Sequence, residues 1–207
     1  MIIAGAGGHG LEVLETLLKS GFSKSDITFF DQNPEKYDRF IQGIKVTSDL
    51  EEVKKIFIIS NNFTLGVGKP TFREILFNLL ESAGGSVHGL KADSAFLSES
   101  ITGQFDAMPF SFIGPETRIG KGVLINTRAN VHHECQVGDF SDIGPGAILL
   151  GNSQAGKRCR IGAGAVLLPG VKLGDDVIVG AGAVVTRDWS NNSKVVGVPA
   201  KAVSSNF

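Results

Sequence analysis

The sequence predicts an α/β unit followed by a three-sided parallel β-helix, and two observations carry this prediction. Short apolar strands alternate with amphipathic helices over roughly the first 85 residues. From Ile113 to Val185 an aliphatic or alanine residue then recurs at every sixth position without a slip. This spacing indicates a hexapeptide repeat in which one residue per hexad fills the core. We place the two domains at residues 1–88 and 89–207.

The N-terminal unit has the pattern of a parallel sheet. Apolar runs predict strands at 1–4, 27–30 and 56–59, and helical spacing of apolar residues predicts helices at 11–21 and 71–82. Because strands that alternate with helices usually pair in parallel, we expect half of a Rossmann fold.

A glycine-rich turn follows the first predicted strand. Gly5, Gly7 and Gly10 fit the pattern G-x-G-x-x-G, in which glycines let the backbone approach a phosphate at a helix N-terminus. The unit is too short for a full dinucleotide fold, so a mononucleotide or a nucleotide-sugar fits better than NAD. Asp31, about 20 residues further on, suits a ribose or base contact. The alternative is a tight turn that binds nothing.

The positions of glycine in the repeat indicate how many faces the β-helix has. Glycine follows the core position in eight hexads, but in every third hexad another residue replaces it. Three hexads therefore make one coil, and one face differs from the other two. At about 4.8 Å between stacked strands, we expect four coils and a height of about 20 Å. The six-residue spacing continues less regularly before Ile113, which predicts that the β-helix starts near residue 95. The four replaced positions are His132, Leu150, Leu168 and Thr186.

Charge and composition exclude several classes of partner. Twenty basic and 21 acidic side chains give a net charge of −1, which argues against nucleic acid or an anionic membrane as the main partner. No apolar run approaches the roughly 20 residues of a membrane helix, and the N-terminus does not resemble a signal peptide. With only two cysteines, we expect a cytoplasmic protein without a disulfide framework.

Two adjacent histidines stand midway along the repeat. Because Val131 fills the core, His132 lies at the turn and His133 projects outward, beside Glu134. A histidine can act as a general base near neutral pH, and a neighbouring carboxylate fixes its tautomer. His133 is therefore the first candidate for a base. The alternatives are that His132 is the base, or that both histidines are solvated turn residues without a catalytic role. A metal is not expected, since a third histidine at suitable spacing is absent. Cys135 stands at a hexad position that points into the β-helix, which favours a buried core thiol over a nucleophile.

Three hexads per coil is the pattern of left-handed β-helix acyltransferases. More narrowly, the chain resembles the bacterial sugar acetyltransferases of the sialic-acid and bacillosamine type over nearly its whole length. The residues that carry this resemblance are Gly5–Gly10, Ser60-Asn61-Asn62, Ile125-Asn126-Thr127, His133-Glu134-Cys135, Gly138–Ser141 and Gly197–Lys201.

The resemblance implies an enzyme that uses acetyl-CoA. It implies His133 as the general base, Glu134 as its orienting partner and the N–H of Gly151 as the oxyanion donor. In this family the position of Asp142 often carries a histidine that contacts the thioester. The cofactor-binding residues that the resemblance implies, in a groove between two β-helices of a homotrimer, are Asp142, Ile161, Gly162, Gly180, Gly182, Pro199 and Lys201.

The implied activity is N-acetylation of a nucleotide-linked amino sugar, of the 4-amino-4,6-dideoxyhexose kind, for a surface glycan such as O-antigen. The carrier nucleotide would be dTDP or UDP. The alternatives are a sialic-acid-type sugar O-acetyltransferase and a non-catalytic nucleotide-sugar-binding scaffold. The expected substrate-binding residues are Gly7, Gly8, His9, Gly10, Asp31, Ser60, Asn61 and Asn126.

Overall fold

The computed structural model describes residues 1–33, 35 and 39–203. The chain divides into two compact units. The first contains Met1–Gly68 and Phe72–Leu90, and the second runs from Lys91 onward and includes Lys69–Thr71. Across the described residues, no helix has both the length and the apolar character needed to cross a bilayer.

The first unit is a six-stranded sheet with three α-helices. Its strands are β1 Ile2–Ala4, β2 Thr28–Phe30, β3 Phe40–Ile41, β4 Ile44–Thr47, β5 Asn62–Leu65 and β6 Ser86–Val87. Its α-helices are α1 Gly8–Lys19, α2 Leu50–Ile59 and α3 Pro70–Ser82, and Lys24–Asp26 form a short 3-10 helix.

The order of the strands places a topological switch at the centre of the sheet. The order is β3-β4-β2-β1-β5-β6, and every pairing is parallel except that of β3 with β4. The chain moves from β1 to one side and later returns to its other side at β5. In open α/β sheets, ligands bind at the carboxyl ends of the strands beside such a point. The loops that follow β1 and β5 meet this description.

The strand predicted at 56–59 is wrong, because these residues end helix α2. Asp49 caps that helix, with its side chain accepting from the N–H of Glu51 at 2.8 Å. Val53 and Phe57 then face the core at helical spacing, while Ile58 and Ile59 are exposed. A run of four apolar residues is too short to distinguish the two periods.

The second unit is a three-sided parallel β-helix. The first face stacks β10 Arg118–Ile119, β13 Gln136–Val137, β16 Gln154–Ala155 and β19 Lys172–Leu173. The second face stacks β8 Asp106–Ala107, β11 Leu124–Ile125, β14 Asp142–Ile143, β17 Arg160–Ile161, β20 Ile178–Val179 and β22 Lys194–Val196, with β23 Lys201–Ala202 antiparallel at its end. The third face stacks β7 Phe96–Leu97, β9 Phe112–Ile113, β12 Asn130–Val131, β15 Ile148–Leu149, β18 Val166–Leu167 and β21 Val184–Val185.

The register confirms the hexapeptide prediction. Neighbouring strands from β8 to β21 pair each residue with the one three hexads later, such as Val131 with Leu149, and the second residue of each strand is buried. The expectation of four coils is too low, since the second and third faces each stack six parallel strands. The expected start near residue 95 agrees with β7, which begins at Phe96. The rungs at the two ends have a shorter register, since Leu97 pairs with Ile113 and Val179 pairs with Val195, each less than three full hexads apart. The predicted fold class, an α/β unit followed by a left-handed β-helix, is confirmed.

Candidate active site

His133 and Glu134 form a pair at the corner between the third and first faces. The chain leaves β12 at Val131, turns through these residues and enters β13. The Nδ1 atom of His133 lies 2.9 Å from Oε2 of Glu134, and both side chains are about 60% exposed. Glu134 has φ of +60°, a left-handed conformation that L residues adopt at a cost of about 1 kcal/mol. The turn therefore holds the carboxylate beside the imidazole.

Gly151 lies one coil beyond His133, directly against its ring. A Cβ atom on Gly151 would be 2.5 Å from both Cε1 and Nε2 of His133. No real Cβ tolerates such a contact, so the imidazole fills the space that any other residue at 151 would need. The absence of a side chain at Gly151 thus lets the Nε2 edge of His133 lie along the backbone of the next coil.

The backbone N–H of Gly151 differs from those of Lys121 and Lys157, which hold the same hexad position at the corner between the first and second faces. At Lys157 the equivalent N–H is capped by Oδ1 of Asp175, one coil further on, at 2.8 Å. A similar cap from the next coil lies on the N–H of Lys121. One coil beyond Gly151 stands Pro169, which has no side-chain acceptor. No acceptor for the N–H of Gly151 occurs within residues 1–33, 35 and 39–203, so this donor remains available to a substrate oxygen.

His132 and Cys135 have other surroundings. The ring of His132 packs on Phe112 with a centroid distance of 5.7 Å, and Phe112 stacks on Phe96 at 4.9 Å. His132 is therefore engaged by the third face, whereas His133 is not. Cys135 is completely buried and its burial raises the pKa of the thiol, which fits the predicted core role.

The first unit offers a helix N-terminus at the carboxyl end of β1. Helix α1 begins at Gly8, and its N-cap residue Gly7 provides no side-chain cap. The N–H groups of the first turn therefore favour an anion. A Cβ on Gly8 would meet nothing within 4 Å, so space lies open beside this turn. These features fit the phosphate cradle expected of Gly7, Gly8, His9 and Gly10.

Close backbone packing explains the other glycines of this edge. A Cβ on Gly10 would collide with the carbonyl oxygen of Gly5, and one on Gly66 would lie 2.6 Å from the same oxygen. Gly66, Val67 and Gly68 follow β5 and lie at the edge that carries the Gly5 turn. They are absent from the predicted site, although a G-x-G immediately after an apolar strand is a sequence signal for such a turn.

Asp31 and His9 both have partners within this unit. Asp31 accepts the N–H of Ala6 on Oδ2 at 2.7 Å and the N–H of Asn33 on Oδ1 at 2.9 Å. It therefore joins the loops after β1 and β2. His9 lies in the first turn of α1 with Nδ1 3.0 Å from Oε2 of Glu12.

The structure does not bring Ser60 and Asn61 to this edge. They stand between α2 and the start of β5, at the amino end of the strand, because 56–59 is helical. The parallel register of β1 and β5 puts the Gly5 turn at the opposite, carboxyl end. Arg73 of α3 is completely buried and donates to the carbonyl of Val67 at 2.7 Å. It supports the loop after β5 from within.

The residues expected to hold the cofactor lie on or beside the second face. A Cβ atom on Gly162 would be 2.5 Å from the N atom of Ala181, and a Cβ atom on Gly180 would be 2.7 Å from Cγ1 of Val196. Gly182 has φ of +67°. Gly162 and Gly180 thus have a packing reason, and Gly182 has a conformational reason, besides any ligand.

A groove of about 420 Å³ lies along this face. Its lining combines two cations with aliphatic side chains, and it includes Gly180 of the predicted set. Arg160 and Lys194 supply the charges and were missed, since single basic residues in strands give no sequence signal. The lining residues are Arg160, Ile178, Gly180, Ala181, Lys194, Val195, Val196 and Val203.

The remaining predicted residues are placed as follows. Asp142 is buried, with Oδ2 4.0 Å from Nε of Arg160, and Ile161 is a core residue of β17. Pro199 and Lys201 follow β22, and Lys201 is exposed in β23. Asn126 lies at the corner after β11, where its Oδ1 accepts the N–H of Thr127 at 2.8 Å.

Two groups of predicted residues occupy different corners of the β-helix. Asn126, Gly162 and Gly180 recur at whole-coil intervals on the corner between the second and third faces. His133 and Gly151 lie on the corner between the third and first faces. Among the described residues, no group of three or more His, Cys, Asp or Glu side chains could hold a metal.

Comparison with known families and structures identifies similar proteins. Residues 1–80 match the PglD N-terminal domain, and residues 156–187 match the bacterial transferase hexapeptide (six repeats). A solved structure of a histidine-to-alanine variant of GDP-perosamine N-acetyl transferase from Caulobacter crescentus, in complex with CoA and GDP-perosamine, is 30% identical to this chain. That match has a TM-score of 0.91 and covers 99% of this chain and 96% of the other.

Two further structures are similar over their whole length. The acetyltransferase domain of PglB from Neisseria gonorrhoeae FA1090, in complex with acetyl coenzyme A, is 30% identical with a TM-score of 0.90, covering 98% of each chain. WeeI from Acinetobacter baumannii AYE is 28% identical with a TM-score of 0.82, covering 98% of this chain and all of the other.

Proposed function

This chain belongs to the hexapeptide-repeat, left-handed β-helix family of bacterial sugar N-acetyltransferases, and we propose that it transfers the acetyl group of acetyl-CoA to a nucleotide-linked amino-deoxy sugar. The expected sugar is a 4-amino-4,6-dideoxyhexose, made in the cytoplasm for a surface glycan such as O-antigen. The observation that carries the proposal is the pair of His133 and Glu134 held against Gly151.

His133 acts as the general base in this proposal. Its Nδ1 faces the carboxylate of Glu134 at 2.9 Å, so Nδ1 carries the proton and Nε2 keeps its lone pair. Nε2 lies beside Gly151. A base and an oxyanion donor on neighbouring coils can serve one reacting carbon.

The transfer then balances without a covalent enzyme intermediate. The amine nitrogen attacks the thioester carbonyl carbon, and the oxygen of the tetrahedral species accepts the N–H of Gly151. Nε2 of His133 takes the proton that the amine loses. The C–N bond remains, the C–S bond breaks, and the departing sulfur receives that proton as the thiol of CoA.

The acceptor nucleotide is proposed to bind at the carboxyl edge of the first unit. The N-terminus of α1, with Gly7, Gly8 and Gly10, suits the diphosphate, and His9 stands in the same turn. Asp31, at the carboxyl end of β2, is proposed to contact the ribose or the base. Asn126, on the β-helix, is proposed to contact the sugar.

The donor is proposed to bind along the second face. The groove there pairs aliphatic Ile178 and Val196 with the cations Arg160 and Lys194, which suits a pantetheine arm that ends in phosphates. In this proposal Ile161, Gly162, Gly180 and Gly182 border the arm, Asp142 lies beneath it, and Pro199 and Lys201 lie near its nucleotide end.

We propose a homotrimer, because the donor groove and His133 lie on different corners of one β-helix. A site that uses both corners is completed when the second face of one copy meets the His133 corner of another. Closed cyclic symmetry would give three equivalent sites.

The decisive experiment measures thiol release from acetyl-CoA by the purified protein. A panel of UDP-, dTDP- and GDP-linked amino sugars and free sialic acid serve as acceptors. His133→Ala is expected to lower kcat by about 10² or more, since a general base contributes that much. The matched control is His132→Ala, whose ring packs on Phe112 instead, and it should stay within a few-fold of the unchanged protein.

Other outcomes would contradict the proposal. Transfer to sialic acid but not to any amino sugar would indicate the O-acetyltransferase. Nucleotide-sugar binding without thiol release would indicate a scaffold. Near-normal turnover of His133→Ala, or a larger loss in His132→Ala, would refute the assigned base.

A further inference from the structure

Two inward side chains donate hydrogen bonds to the backbone beneath the His133 corner. The hydroxyl of Thr117 donates to the carbonyl of His132 at 2.9 Å. The Sγ atom of Cys135 lies 3.3 Å from the carbonyl oxygen of Leu150, within range of an S–H···O bond. Both donors are buried. Each bond joins one coil to the next, and the second bond is one coil above the first.

The accepting carbonyls belong to the peptide units of the candidate site. The carbonyl of His132 shares its peptide group with the N–H of His133. The carbonyl of Leu150 shares its peptide group with the N–H of Gly151, the oxyanion donor of the proposed mechanism. Because a peptide is planar, a bond to the carbonyl also fixes the direction of the N–H. Hydrogen bonding at one end polarises the group and strengthens the donor at the other.

These bonds are not an automatic result of the repeat. Ser111 occupies the same inward position of its hexad, and its buried hydroxyl has no partner among the described residues. The bond does recur at the corner between the first and second faces. There Ser141 donates to the carbonyl of Gly156 at 2.8 Å, and Cys159 to that of Gly174 at 3.0 Å.

Cys135 is able to act as a donor at neutral pH. Its thiol is completely buried, and burial raises its pKa above the ordinary value of 9.0. The sulfur therefore keeps its proton. Besides Leu150, Sγ lies 3.7 Å from the carbonyl oxygen of Leu149 and 3.5 Å from Oγ of Ser153, so the shortest contact is the one to the peptide of Gly151.

We propose that Thr117 and Cys135 are positioning residues for acetyl transfer: from the core, they hold the peptide groups that present His133 and the N–H of Gly151. This inference rests on the proposed function. Neither side chain touches a substrate. Their role is to orient and polarise two backbone units, and its effect belongs to the transition state, when the oxyanion forms.

The kinetic test compares four donors that have the same geometry. Cys135→Ala and Thr117→Val each remove a donor, and both should lower kcat about three- to tenfold with little change in either KM, since they weaken but do not remove the oxyanion bond. Cys135→Ser should restore kcat, because hydroxyls at this position, as in Thr117 and Ser141, reach the carbonyl. The matched controls Cys159→Ala and Ser141→Ala remove the same bond at another corner and should stay within twofold.

A second measurement does not depend on activity. Only three Leu-Gly pairs occur in the sequence: Leu65–Gly66, Leu150–Gly151 and Leu173–Gly174. Labelling with carbonyl-13C leucine and 15N glycine therefore gives three correlated amide signals, and Leu150→Ile identifies its own by removing it. Cys135→Ala should shift the Gly151 signal, Cys135→Ser should partly restore it, and Cys159→Ala should leave it in place.

The two readouts separate the inference from the proposed function. If no acceptor supports thiol release, the proposed function fails, and the Gly151 signal still decides whether Cys135 holds that peptide. An unmoved Gly151 signal in Cys135→Ala would overturn the inference. So would kcat losses in Cys159→Ala and Ser141→Ala as large as those in Cys135→Ala and Thr117→Val.

Discussion

The imidazole of His133 occupies the space that a side chain at Gly151 would fill, with Cε1 and Nε2 both 2.5 Å from the position of a Cβ. Gly151→Ala should therefore displace the ring and lower kcat by about 10², comparable to the loss of the base itself. His133 is exposed and can swing outward, so the free energy of unfolding should change little. Turnover and thermal denaturation of the same preparation test both expectations.

A glycine without such a neighbour gives the control. Gly21 follows the end of helix α1 with φ of +92° and nothing within 4 Å of its Cβ position. Gly21→Ala should cost about 1 kcal/mol of stability and leave kcat unchanged. If Gly151→Ala behaved in this way too, the ring of His133 would not depend on the space at residue 151.

Replacing the carboxylate of Glu134 tests the orientation of the base. Glu134→Gln keeps the size of the side chain but exchanges a charged acceptor for a neutral amide, so kcat should fall about tenfold. Glu116 is the matched control, since it stands one coil earlier with φ of +56°. Equal kcat values for Glu134→Gln and Glu116→Gln would contradict the orienting role.

Gly8 and Gly10 should respond differently to the same substitution. A Cβ at Gly10 collides with the carbonyl oxygen of Gly5, so Gly10→Ala should lower the free energy of unfolding by about 2 kcal/mol. Gly8 has open space, so Gly8→Ala should keep its stability and raise the KM of the nucleotide-sugar. Chemical denaturation and steady-state kinetics measure the two effects. An unchanged KM would argue against a phosphate at this turn.

The two thiols predict a distinct dependence on pH. Burial raises the pKa of Cys159 to about 11 from an ordinary value of 9.0. Between these values the unfolded chain ionises and the folded protein does not, so stability falls as the pH rises from 9 to 11. The loss should be smaller in Cys159→Ala, as urea titrations at pH 8 and 10.5 would reveal. At pH 8 neither thiol should react with an aromatic disulfide reagent until urea unfolds the protein.

A site shared between copies predicts complementation. His133→Ala removes the base, and Ala181→Trp fills the groove beside Gly180. Each variant alone should keep about 1% of the activity or less, but co-expression at equal levels should restore about one quarter, because that fraction of interfaces in a cyclic assembly pairs an intact His133 corner with an intact groove. Mixing after purification serves as the control. Absence of recovery in verified mixed assemblies would place both functions within one copy.

The β-helix was predictable because its code is local and repeated. Ile119, Val137 and Ala155 stack at intervals of three hexads, and every hexad repeats the same pattern of one core residue at the sixth position. The number of coils was underestimated because the rungs of Leu97 and Val195 break that interval at the two ends. In the first unit each element occurs once. No repeated pattern was therefore available to show that the short apolar run 56–59 ends a helix and is not a strand.

The site was predictable only in part, for a physical reason. His133 and Glu134 are neighbours in sequence, so their pairing could be expected. The open N–H of Gly151 depends on Pro169, a full coil away, and the burial of Arg73 depends on the carbonyl of Val67. Such relationships are set by three-dimensional packing, and a single sequence does not show them.

The regular register from Ile113 to Val185 makes the β-helix rise in equal steps. Each insertion of three hexads would add one step of about 4.8 Å without altering any corner. Ile143, Ile161, Val179 and Val195 stack on one face, so the distance from Ile143 to Val195 is a whole number of steps, and deleting one coil between them would shorten it by one. The reach of the donor groove can thus be engineered in discrete units, with the chemistry at His133 held fixed.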